Sequence, residues 1–93
     1  MLKMKIVMDD EKIKSDDEYS VEKIHDIINF IFVDSGLGIV EKNVYGQVSP
    51  MEYADEEILA KVMFWSNCEW FMKYVKEWLL IDEEDGYVEN LLT

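Results

Sequence analysis

The apolar side of this chain changes direction within its C-terminal third, and that switch constrains the fold more than any other feature. Met51, Ala54, Ile58, Val62 and Trp65 recur at helical spacing. Wound at about 100° per residue, Ile58, Val62 and Trp65 share one side. Beyond Cys68 the apolar side is made by Phe71, Val75 and Trp78, with Met72 and Leu79 beside them. On the same helical wheel this second stripe lies nearly opposite the first. Glu69, Lys73 and Lys76 take the direction that Ile58 and Val62 held. One straight helix cannot bury both stripes in a single core. Two helices, over 50–65 and 67–81, satisfy both if they meet at a corner near Ser66-Asn67. Ser66 and Glu69 have the spacing of a capping box, with Trp65 and Trp70 placed as its hydrophobic staple. The alternative is one long helix whose halves face different chains, as in an intertwined dimer.

The same stretch, residues 64–78, holds all three tryptophans. A chain of 93 residues makes one domain, over 1–93, with a small core. At this size folding buries only about 60–65% of the surface of the unfolded chain. Aromatic side chains bury roughly 150–250 Å² each, so three tryptophans strain that capacity. At least one is expected to show a face to solvent or to a partner, since tryptophan and tyrosine are enriched at binding hot spots.

Upstream the pattern is easier to read. LKMKIVM alternates, with Leu2, Met4, Ile6 and Met8 on one side and Lys3, Lys5 and Val7 on the other, which predicts a half-buried strand. An acidic run over 9–19 reads as an exposed, loosely ordered loop. Ser20 is a good N-cap, Glu22 suits a first helical turn, and Tyr19 and Ile24 are spaced as a staple. Val21, Ile24, Ile27, Ile28 and Ile31 form the stripe of the helix that follows. Phe30 and Val33 fall on its far side, so this helix is expected to be covered twice, by its own domain or by a second chain. Gly36 is placed as a left-handed stop, with Leu37 folding back over the last turn.

Residues 38–48 read as a bent strand or a hairpin turning near Glu41-Lys42-Asn43, with Gly46 a possible bulge. Ser49, Pro50 and Glu52 have the pattern of a capped helix start. Near the end, Asp85-Gly86 marks a turn, and Tyr87, Val88, Leu91 and Leu92 can pack back as a short strand or helical turn. The expected fold is α+β: a small single domain of about three helices packed on a short antiparallel sheet of two or three strands.

Charge narrows the partners. Twenty-one acids face nine bases, for a formal charge of −12, and every base is lysine. Nucleic-acid binders need cationic patches, and arginine is the main bidentate reader of guanine and phosphate. Direct nucleic-acid binding is therefore not expected, nor is docking on an anionic membrane. No apolar run approaches a membrane span; Phe30–Val33 is only a short one. Lysine without arginine, with abundant isoleucine and glutamate, fits an AT-rich genome, bacterial or of a mobile element. A lone cysteine, Cys68, fits a reducing cytoplasm.

Chemistry is weakly signalled. His25 and Cys68 are the single residues of their kinds, and nothing in the sequence ties them into a nucleophile–base pair. They cannot supply the ligands of a structural zinc site. Asp82–Gly86 fails as a calcium loop, because the first and twelfth positions would be Ile81 and Leu92. No catalytic, metal or cofactor residue is expected. The reading is a small acidic non-enzymatic protein-interaction domain whose partner is another protein or a second copy, a homodimer. Its expected contact residues are Phe30, Val33, Phe64, Trp65, Trp70 and Tyr74. The alternative is a nucleic-acid mimic that occupies the groove of a basic protein. That reading requires the acids of 9–18 and 82–85 to lie in one row or patch.

Overall fold

The computed structural model describes residues 1–93. Its order is β1 (Leu2–Met8), α1 (Asp10–Asp16), α2 (Val21–Asp34), β2 (Gly38–Glu41), β3 (Val44–Gly46), α3 (Ala54–Ser66), α4 (Glu69–Tyr74), β4 (Val75–Asp82) and β5 (Tyr87–Asn90). The class is α+β, as the sequence predicts, with four helices and five strands where three and two or three were expected. The strands form one antiparallel sheet in the order β2-β3-β1-β4-β5.

β1 is the central strand, and its alternation divides the sheet into two faces. Met4, Ile6 and Met8 are 0%, 4% and 5% exposed. Tyr45 stands opposite Met4, and Trp78 and Leu80 stand opposite Ile6 and Met4, so all of them share that face. They form one core with Ile13 of α1, Ile24, Ile28 and Phe32 of α2, Ala54, Ile58 and Trp65 of α3, and Phe71 and Tyr74 of α4. All four helices therefore cover the same side.

α2 begins and ends as its sequence signals. The Ser20 hydroxyl accepts from Lys23 N–H at 3.2 Å. Gly36 has φ +87°, the left-handed region open to glycine. Gly36 N–H and Leu37 N–H donate to Val33 and Phe32 carbonyls, and Leu37 is 2% exposed. The stripe is centred on Ile24, Ile28 and Phe32. Ile27 sits at its margin, and Phe30 and Val33 are open to solvent, so within one copy α2 is covered on one side only. The β2–β3 hairpin turns at Lys42-Asn43, with Asn43 at φ +64°. The irregular pairing lies between Ile39 and Glu41 of β2, whereas the sequence pointed to Gly46.

Three expectations need correction. The first is the acidic loop, which contains α1. Asp9 caps this helix by accepting from Lys12 N–H at 3.1 Å, and Ile13 is fully buried. One apolar anchor and a cap outweigh the like charges around them.

The second is the start of α3, which lies at Ala54 and not at Pro50; Tyr53 is its N-cap and makes no side-chain capping bond. The preceding residues serve as a connection, with Met51 lying beside Gly36 at the end of α2. The Asp55 carboxylate accepts from Leu2 N–H at 2.9 Å and ties the helix start to β1.

The third concerns 67–81. The break at Ser66-Asn67 is present, but the second element is helical only to Tyr74. Residues 75–82 are β4, paired along the length of β1 from Leu2↔Asp82 to Met8↔Val75. Ser66 does not cap α4. Its hydroxyl donates back to Val62 C=O at 2.6 Å, within α3, and Asn67 Nδ2 donates to Met63 C=O at 2.9 Å, which satisfies one of the carbonyls left open at the end of α3. Cys68 precedes α4 without a side-chain cap.

Candidate interaction surfaces

The aromatic cluster is mainly core, organised around Trp65. Its ring stacks on Phe71 at 4.6 Å and meets the edges of Phe64 and Trp70 at 5.0 and 5.9 Å. Phe71 continues to Trp78 at 5.2 Å, and Phe32, stacked on Tyr45 at 4.1 Å, joins from α2. Such pairs contribute beyond the area they bury. The indole N–H groups of Trp65 and Trp78 are buried without an acceptor, so these rings stabilise by packing and each leaves one donor unpaired.

The six residues expected to meet a partner fall into two groups. Phe30 and Val33 on α2 and Phe64 on α3 are exposed, at 63%, 60% and 48%. Trp70 is half-buried against the core. Trp65 and Tyr74 are enclosed, at 0% exposure, and present no face. For Tyr74 the helical wheel missed this because it assumed that 67–81 was one helix; Trp65 is buried with Ile58, on the side the wheel gives them both. With β4 in place, the α3–α4 corner folds Trp65 inward over Phe71. Met63, 69% exposed, joins the outward group. It stands beside Phe64 and lines a shallow depression with Ala60, Asn67 and Cys68.

Tyr74 has a structural role. Its hydroxyl donates to Asp16 Oδ2 at 2.9 Å, and Lys73 Nζ lies 3.4 Å from the same oxygen and 3.6 Å from Glu18. Asp9 N–H donates to Tyr74 C=O at 2.7 Å, and Lys12 Nζ donates to Lys73 C=O at 3.2 Å. α1 is thereby fastened to α4. The Tyr74 hydrogen bond, with Lys73 behind it, holds the Asp16 carboxyl below its usual range. Burial, and then the bond to Asp16, pushes the Tyr74 hydroxyl up. Lys73 is raised by the same partners, Tyr74 first. Tyr45, whose hydroxyl bonds to Asn29, is raised by burial.

His25 Nε2 lies 2.8 Å from Asp10 Oδ1 and links α2 to α1. Lys61, 7% exposed, reaches Glu57 at 3.5 Å along α3. The two acidic segments are far apart. α1 follows the Met8 end of β1, whereas Asp82 pairs with Leu2 at the other end. Six residue steps of strand separate them, about 20 Å. No helix is long and apolar enough to cross a membrane. Compared with protein-family models, with curated proteins and with solved structures, the chain matches none.

Proposed function

We propose that this is a small acidic, non-enzymatic, cytoplasmic interaction domain that grips a protein partner with the outward side of its helix layer. The observation that carries the reading is the exposure of Phe30 and Val33, large apolar residues one turn apart on α2, on the side away from the core. Met63 and Phe64 add apolar surface on α3. Single exposed apolar residues are ordinary, but clustered ones mark contact sites. Trp70, half-buried against Trp65, keeps part of its ring at the surface. The cytoplasmic setting rests on the lone thiol Cys68.

The mimic alternative needs its two acidic clusters in one row or patch. α1 and the β4–β5 turn lie at opposite ends of β1, so they form no single patch, and the exposed apolar residues of the helices favour the interaction reading.

The test begins with affinity capture from host extract, followed by purification of the captured protein and calorimetric titration. Phe30→Lys and Val33→Lys are expected to weaken binding about tenfold or more while leaving the melting temperature nearly unchanged. Equal affinity for both variants and the wild type would contradict the proposal.

A further inference from the structure

The outward side of α2 carries charges that its own chain leaves unanswered. At about 100° per residue, Glu22, Asp26, Phe30, Val33 and Asp34 fall in one stripe, with Lys23 on the same side at the N-terminal end. All six are exposed. Phe30 stands one turn from Asp26 and one turn from Asp34. The ion pairs on the helix side of the molecule engage Asp10, Asp16, Glu18 and Glu57, and none reaches Glu22, Asp26 or Asp34. The last turn of α2 holds no basic residue. The Ser35 hydroxyl and the N–H groups of Ser35, Gly36 and Leu37 satisfy the carbonyls of Ile31, Phe32 and Val33. This end is therefore hydrogen-bonded but not neutralised: the negative pole of the helix dipole meets a carboxylate, Asp34.

We infer that this side of α2 takes a basic amphipathic segment of a partner protein, with an apolar side chain against Phe30 and Val33 and a lysine or arginine at the Asp34 end. The inference rests on the helix-layer reading above and names the chemistry of its partner. Charge complementarity decides the occupant. Three unpaired acids face one lysine along the stripe, and Lys23 lies about two turns from Phe30. A neutral partner would strip water from Asp26 and Asp34 and return nothing. A second copy would bring its own formal charge of −12 against the same carboxylates. A cation at the end of α2 is favoured twice, by Asp34 and by the helix dipole. The charge of the whole chain also draws a basic partner from a distance.

Neither half of the contact suffices alone. Phe30 and Val33 are 63% and 60% exposed and one turn apart, an anchor point and not a groove. Exposed ion pairs are individually weak and screened by salt. Together they give an association that needs both the apolar side chain and the cations, and that loosens as ionic strength rises.

The test is an amide-resolved NMR titration of the full chain with a short synthetic helical peptide, leucine on one side and lysine on the other. Its counterpart carries glutamine at every lysine position. The lysine peptide is expected to bind, with shifts centred on residues 26–34, and to bind less tightly as salt rises. The glutamine peptide should bind about tenfold more weakly or worse. Asp34→Lys should weaken the lysine peptide about fivefold or more without lowering the melting temperature, since a cation there suits the helix dipole. Asp85→Lys makes the same change of charge in the exposed β4–β5 turn, beyond the sheet edge opposite to β2, against which α2 lies. It should cost less than about twofold. No binding of the lysine peptide, shifts centred outside α2, or equal losses for Asp34→Lys and Asp85→Lys would overturn the inference. Equal binding of both peptides, abolished by Phe30→Ser, would overturn it while leaving the helix-layer reading standing. That reading is tested on its own by Phe30→Lys and Val33→Lys against the captured protein.

Discussion

The two faces of β1 are built from alternate residues of one seven-residue strand, yet they meet different surroundings. Met4, Ile6 and Met8 are sealed beneath four helices, while Lys3, Lys5 and Val7 on the reverse are half-buried, with no helix over them. The apolar character of the two faces differs less than their burial does. On β4 the neighbours Leu79 and Leu80 are chemically identical, and Leu80 belongs to the core while Leu79 does not. What separates them is the parity of the strand, not hydrophobicity. The helices can cover one face only, and the second keeps an apolar surface that the Lys3–Glu83 and Lys5–Glu77 ion pairs make compatible with water.

Substitutions can break that comparison, and the largest effect belongs to the covered side. Trp65→Ala removes the hub on which Phe32, Phe71 and Trp70 rest. It is expected to cost about 3–5 kcal/mol in chemical denaturation, a large share of the stability of a small domain. Next comes the parity test. Leu80→Ala should cost about 2–4 kcal/mol, and Leu79→Ala about 1 kcal/mol or less. Similar losses at both positions would mean that the second face is covered as well.

Alkaline pH gives a further effect on the covered side. The Tyr45 and Tyr74 hydroxyls ionise at higher pH folded than unfolded, and Lys73 is likewise raised. Their contribution is complete below the ordinary values, 10.0 for tyrosine and 10.5 for lysine, and is lost as pH climbs through the folded values. The melting temperature should therefore fall above pH 10, and Tyr74→Phe should flatten that fall. Asp16 has the opposite sign. Its folded pKa is depressed, so its contribution is complete above the ordinary 3.8 and is lost as pH falls through the lower folded value. Asp16→Asn should lower the melting temperature modestly at neutral pH and speed amide exchange in α1 ahead of the sheet. The smallest effect is expected at Phe30→Ser on the outward side of α2, within about 0.5 kcal/mol.

How far the sequence reveals this arrangement depends on whether one period dominates a segment. β1 alternates cleanly, and α2 carries both its cap at Ser20 and its stop at Gly36, so each is legible residue by residue. The hairpin turn at Asn43, the turn at Gly86 and the break after Ser66 are legible for the same reason: local backbone chemistry decides them. β4 is not legible. Phe71, Val75 and Trp78 satisfy a helical period, while Trp78 and Leu80 satisfy a strand period, and only pairing with β1 selects between them. α1 is hidden because its stability is tertiary. Ile13 is its single buried residue, and the bonds of Asp16 and Asp9 to Tyr74 join partners far apart in sequence.

Among the surface residues, the solvent side of Phe30 and Val33 follows from the wheel of a well-bounded helix. The burial of Tyr74 does not, because it depends on where β4 begins, whereas that of Trp65 follows from the stripe it shares with Ile58. The open apolar face was hidden as well. Val40, Val44, Leu79, Ile81 and Val88 come together only once the strand order is known.

The claim that one face is sealed and the other open rests most directly on the pair Leu79 and Leu80. Each is replaced singly by cysteine in a Cys68→Ser background, and the rate of thiol modification is followed at low protein concentration. Leu79→Cys, at a half-buried position, should react directly from the folded state, more slowly than an unhindered thiol but without opening of the fold. Leu80→Cys should react slower by orders of magnitude, at a rate set by opening of the fold. Equal rates, or a faster reaction at position 80, would contradict the two-faced sheet.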